Sequence, residues 1–198
     1  MLGVLYHNNV VLAISVMMSL KKFGLNQLWI AFGQGVKICW IPVHQLVENI
    51  GPSRGSGMPF FHAFTGCDVV SAFRGKGKKS AWQTWELCDE VSSTFTKLSQ
   101  RPLDIDDSDL STLERFVVTM YDRSSTSTTV NVARRDLFPR KQRHYMSFPP
   151  TQAFLKQHSK RAVYQGGIIL GQTMDSSPNL PSPVDWGWCE NNGKWETH

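Results

Sequence analysis

HAFTGCDVVSAFRGKGKKSAW, residues 62–82, joins an apolar run to a glycine turn and a basic, helix-forming segment. The run ends at Gly66-Cys67-Asp68, the turn is Gly75-Lys76-Gly77, and Lys78 and Lys79 lead into a helix through Ala81, Trp82 and Trp85. Gly75 and Gly77 admit backbone angles closed to other residues and let an anion approach the main chain. A helix that begins there turns its free amides toward the same point, and Lys76, Lys78 and Lys79 add positive charge. Such a turn grips phosphate without reading bases, and counterion release makes its affinity fall steeply with salt. For the turn alone, a flexible Gly/Lys surface loop is the competing reading.

Asp68 has two readings as well. An Asp beside a glycine caps the helix or loop that follows. A magnesium ion, being hard, takes oxygen ligands and needs several carboxylates for neutralisation, so one Asp does not make a site.

The order Gly66-Cys67-Asp68, Gly75-Lys76-Gly77 and Lys78-Lys79 resembles the flap-endonuclease/XPG-like branch of PIN-domain nucleases. In that family a Gly-x-Asp carboxylate at a helix end helps bind catalytic metal, and the Gly-x-Gly hairpin of a helix-turn-helix motif grips one strand of duplex DNA. The resemblance therefore implies Asp68 as a metal ligand, Mg2+ as the cofactor, and Gly75, Lys76, Gly77, Lys78 and Lys79 as contacts to a DNA or RNA backbone. The chain is more similar still to a group of uncharacterised, transposon-associated animal proteins. In both groups an Asp-x-Asp pair precedes a strand. Aligned on Val10-Val11-Leu12-Ala13, those acidic positions fall on Tyr6 and Asn8, neither of which supplies a countercharge. The family's remaining carboxylates belong to the first half of its fold, ahead of Met1. The resemblance thus implies the scaffold with an incomplete metal centre.

Working outward, Val10 to Ile14 reads as a buried strand, followed by a Met-rich helix closed by Lys21-Lys22-Phe23-Gly24. Leu28 to Phe32 and Lys37 to Ile41 read as two more strands across Gly33-Gln34-Gly35. Pro42 opens a helix carrying His44 that ends at Gly51-Pro52. Ser53 to Gly57 is a polar loop, and Pro59 starts the apolar helix leading to Asp68. The expected fold is α/β: a partial PIN-like core of three or so short strands, a helix-turn-helix hairpin, and a mainly α-helical extension. Residues 1–100 form the core with its turn, 101–174 the extension, and 175–198 a Pro/Trp-rich strap. His62, among Phe60, Phe61 and Phe64, reads as a core histidine, and no activated Ser or Cys accompanies it or His44.

In the second half, Asp104-Ile-Asp-Asp-Ser-Asp109 precedes Leu110, Leu113 and Phe116, as a capped helix start requires. Ser124 to Thr129 is a polar linker and Val130 to Phe138 a short helix with Arg134 and Arg135. With Arg140, Lys141, Arg143 and His144 these form a second basic patch, read either as a phosphate contact or as a solvated face. Pro149-Pro150-Thr151 opens a long helix whose middle Gly166-Gly167 weakens. Beyond it, Trp186, Trp188 and Trp195 dock an extended tail. The elements Tyr121-Asp122-Arg123, Ala133-Arg134-Arg135, Pro149-Pro150-Thr151-Gln152 and Trp186-Gly187-Trp188 also resemble the transposon-associated group.

At 198 residues, 41% hydrophobic, with seven Trp, the chain is long and apolar enough to bury a sizeable core. A net charge of +5 suits an anionic partner. Four scattered cysteines without a Cys-x-x-Cys pair favour reduced thiols and an intracellular, nuclear or cytoplasmic setting. The apolar stretch Val10–Leu20 has no preceding Lys or Arg and is too short to span a membrane. Three functions follow: a nuclease-derived nucleic-acid-binding module without catalysis, an active magnesium-dependent structure-specific nuclease when a longer parent chain completes it, or a degenerate protein-interaction domain using an exposed sheet edge. The first accounts best for a kept turn and lost carboxylates.

Overall fold

The chain is mixed α/β and mostly helical. The computed structural model describes residues 7–33, 35–139 and 148–197, and only the backbone of His7 and Asn8. Helix α1 (His7–Leu20) leads to a hairpin of β1 (Trp29–Phe32) and β2 (Cys39–Pro42), then to α2 (Val43–Phe64). There follow α3 (Lys78–Leu87), α4 (Val91–Leu98), α5 (Asp107–Tyr121), α6 (Val130–Leu137), α7 (Gln152–Val163), and a terminal hairpin of β3 (Trp188–Asn191) and β4 (Lys194–Thr197). Among the described residues no helix is long and apolar enough to cross a membrane.

The stretch Val10–Ile14 is helical, which corrects the strand expected there. Two adjacent valines favour a strand, but Val11, Ile14 and Met17 fall on one helical face, and burying that face against α2 outweighs the local preference. The three-strand core is therefore replaced by one antiparallel pair, with Trp29 opposite Pro42 and Ala31 opposite Trp40. As the sequence predicts, Gly24 ends the preceding turn in the left-handed region, at φ 89°.

Helix α2 differs from its expected form in the middle. It kinks at Gly51, where φ is 77°, and resumes at once at Pro52, whose missing N–H is harmless at a first helical position. The expected loop Ser53 to Gly57 is thus helix. Its glycines serve packing: a Cβ on Gly57 would lie 2.9 Å from Phe95 Cβ, and one on Gly55 would lie 3.1 Å from Met18 Sδ. Farther along, the Phe60 N–H donates to Ser99 Oγ at 3.0 Å, tying α2 to the end of α4.

Phe60, Phe61 and Phe64 then meet Trp85, Phe95 and Phe116, with ring centroids 4.7–6.3 Å apart, in the range of favourable aromatic pairs. One buried apolar cluster extends from Val11 to Trp186 and draws on all three predicted segments. The helix starts match expectation: Asp106 and Asp109 form a reciprocal capping box on α5, and Thr129 and Thr151 cap α6 and α7. Lys97 bridges Asp106 at 2.6 Å and Asp109 at 2.8 Å, so that acidic cluster is a helix start.

Gly166 and Gly167 do more than weaken a helix. They lie in a widened turn, Tyr164–Ile169, pressed against two other backbones. The tail is also more ordered than a strap. Asn192 and Gly193, both with positive φ, close a tight β3–β4 turn, a signal present in Asn191-Asn192-Gly193. Trp186 is buried as expected and Trp188 half-buried, whereas Trp195 is 48% exposed.

A Cβ at Gly166 would sit 2.6 Å from the Pro59 carbonyl oxygen, so Gly166→Ala must push α7's extension off α2. Urea denaturation should show a loss of about 1–3 kcal/mol, and an unchanged midpoint would refute the close approach.

Candidate nucleic-acid interface

A buried helix end leaves four carbonyls without intrahelical partners, and the satisfaction of those of α2 shapes the predicted turn. Phe61 O accepts from the Thr65 N–H at 3.0 Å and the Thr65 hydroxyl at 2.7 Å, and Ala63 O accepts from Gly66 N–H at 3.1 Å. His62 O accepts from Lys78 Nζ at 2.8 Å, and Phe64 O from His158 Nε2 at 2.8 Å. The last two donors come from outside the helix. They lash α3 and α7 to it.

Between α2 and α3 the chain is pinned on its apolar side. Gly66, at φ 101°, lets Ala72 come close enough that a Cβ would lie 2.6 Å from the Ala72 Cβ. Val70 and Phe73 are buried, and the Phe73 ring lies 5.1 Å from that of Phe64 and 4.7 Å from that of His158. The Arg74 carbonyl accepts from the Tyr121 hydroxyl at 2.9 Å, and burial pushes that phenol's pKa up to about 12. Gly75, at φ 70°, then turns the chain outward, and Gly77 in extended geometry starts α3 with no side-chain cap. Both glycines are exposed.

The lysines divide. Lys78 points inward to His62 O and also donates to Thr65 Oγ1 at 3.0 Å, and desolvation brings its pKa down to about 8. This corrects the expectation that Lys78 faces a phosphate: its ammonium satisfies a buried carbonyl instead. Lys79 is exposed, and Lys76, half-buried, holds its ammonium 5.2 Å from the Tyr121 ring centroid.

Arg74 and Arg123, both exposed, join the turn from positions the spacing argument passed over. Arg123 donates to Gln83 Oε1 at 3.3 Å, and Gln83 lies one helical turn beyond Lys79 on α3. A contact across forty positions leaves no local trace in sequence.

Asp68 is exposed on the bend after Cys67. Among the described residues no group of three His, Cys, Asp or Glu side chains is placed to hold a metal ion. Tyr6 and the Asn8 side chain lie outside the described residues. Asp68 alone does not meet the donor requirement of magnesium, and no catalytic step is assigned to it.

In the second basic patch, Arg134 Nη1 donates to the Pro149 carbonyl and fixes the entry to α7, while Arg135 is exposed on α6. Arg140, Lys141 and Arg143 lie outside the described residues, as does His144. His62 is buried within α2, in keeping with a core role. His44 is half-buried, with Nδ1 3.2 Å from Leu28 O.

His158 is the residue whose importance the sequence conceals. It is 1% exposed, donates from Nε2 to Phe64 O at 2.8 Å, and has its Nδ1 3.3 Å from the Ser71 hydroxyl. Burial lowers its pKa to about 4. No protein-family model, curated protein or solved structure matches the chain.

Two pH responses of the same sign follow, in separate windows. Between pH 4 and 6.5 the unfolded chain binds a proton at His158 that the folded chain does not, so stability falls as pH drops through that window, by on the order of 3 kcal/mol in all. In His158→Gln, urea titrations at several pH values should show that part of the dependence gone. Between pH about 8 and 10.5 the unfolded state again holds the extra proton, at Lys78, so stability should rise with pH in the native chain and stay flatter in Lys78→Met.

Proposed function

We propose that this chain is a nucleic-acid-binding module that holds the sugar-phosphate backbone at the Gly75–Lys79 turn and performs no hydrolysis by itself. The observation that carries this reading is the pairing of two exposed glycines and an uncapped helix start with cationic groups on several sides. The first amides of α3 are open to an anion, and the positive end of the helix favours one there. Arg74, Lys76, Lys79 and Arg123 supply positive charge at the surface, and the inward Lys78 adds one behind the turn. Pinning by Tyr121, Phe73 and His158 means that little chain entropy remains to be lost on binding, which favours affinity.

Contacts of this kind position a backbone and carry no sequence information. The succession of α2, a glycine-containing turn and α3 supports kinship with the helix-turn-helix region of flap-endonuclease-like PIN proteins. The resemblance, with Tyr6 and Asn8 at its two acidic positions, is what supports a scaffold that has kept the grip without the chemistry.

Fluorescence anisotropy with labelled duplex DNA across a salt series tests the reading. Replacing both Lys76 and Lys79 with Gln should weaken binding uniformly across sequences and reduce the slope of log K against log salt by about 2. Equal affinity and slope in a folded double variant would eliminate the turn as the contact.

A further inference from the structure

A second exposed surface lies at the opposite end of α2, on the β1–β2 hairpin. Trp29 and Ala31 share one face of β1, and Ala31 pairs with Trp40, so the two indoles are diagonal neighbours on one side of the sheet. Strand geometry sets such neighbours about 7–8 Å apart. Trp29 is 47% exposed and Trp40 63% exposed. The Trp29 ring is not loose, since the His44 imidazole meets it edge-on with centroids 5.2 Å apart.

The charges nearest to this face in sequence have one sign. Lys21 and Lys22 precede the hairpin, Lys37 lies within its connection, and all three are exposed. The first acidic residue of the chain is Glu48. Exposed indoles set on one sheet face by strand register, in a segment that also carries ammonium groups, are what unpaired nucleobases and their phosphates require: each base has a π face to stack, and each phosphate needs a countercharge. A lipid surface also attracts Lys and Trp, but it makes no use of two indoles set on one face by strand register.

We propose that Trp29 and Trp40 form a stacking platform for single-stranded nucleic acid. The platform stands apart from the Gly75–Lys79 turn, and the loss of either leaves the other intact. Its specificity is for exposed bases, whereas the turn sees only phosphate.

The test measures binding of labelled oligothymidylate, and of an abasic oligomer of equal length, to the native chain, Trp29→Ala, Trp40→Ala and the double variant. Circular dichroism confirms that each variant is folded. Each single substitution should weaken oligothymidylate binding about 5- to 150-fold and leave the abasic oligomer unaffected. Where the single variants are poorly folded, protection of Trp fluorescence from a neutral quencher by oligothymidylate in the native chain, absent with the abasic oligomer, supports the platform. Equal binding of both oligomers, undiminished affinity in a folded double variant, or Trp protection by anionic phosphatidylserine vesicles alone would overturn it. A Lys76→Gln, Lys79→Gln chain that loses duplex binding but keeps this base-dependent difference separates the platform from the turn.

Discussion

The four carbonyls at the end of α2 must find donors in a region closed to water, and much of the molecule is arranged around supplying them. Each unsatisfied buried carbonyl costs about 1–3 kcal/mol, a large share of the stability of a small domain. Thr65 and Gly66 answer two locally. Lys78 and His158, brought from α3 and α7, answer the others. A local polar requirement is thereby converted into long-range order, because α3 and α7 must both be in place before the end of α2 is satisfied.

The same requirement orients the turn. With Lys78 drawn inward, Gly75 and Gly77 are left on the outside and Lys79 projects to solvent. Phe73 and Val70 bury the other side of the loop. A surface suited to anions is thus backed by a desolvated cation and an aromatic cluster, a placement that costs stability at neutral pH. The lowered pKa of Lys78 measures that cost in direction.

Glycine serves this chain in two distinct ways. Gly51, Gly66 and Gly75 adopt positive φ and redirect the chain. Gly57, Gly166 and Gly167 are conformationally ordinary but admit neighbouring atoms where a Cβ would lie 2.2–2.9 Å away, so they mark sites where one backbone rests on another element. Composition alone does not separate the two uses.

Local chemistry determined the capping box of Asp106 and Asp109, the Thr129 and Thr151 caps, the Gly24 stop, the β1–β2 hairpin, and the exposed Gly75–Gly77 turn before α3. Each depends on neighbours a few positions away, whose preferences survive folding. The helical state of Val10–Ile14, the helical state of Ser53–Gly57, the inward Lys78, the buried neutral His158, and the approach of Arg123 to Gln83 were decided only in the tertiary structure. A short apolar run fits a strand or a helix until its packing partner is known, and a lysine beside a glycine turn serves equally as an anion contact or as a donor to a buried carbonyl. What decides is desolvation by distant elements, a quantity no local pattern contains.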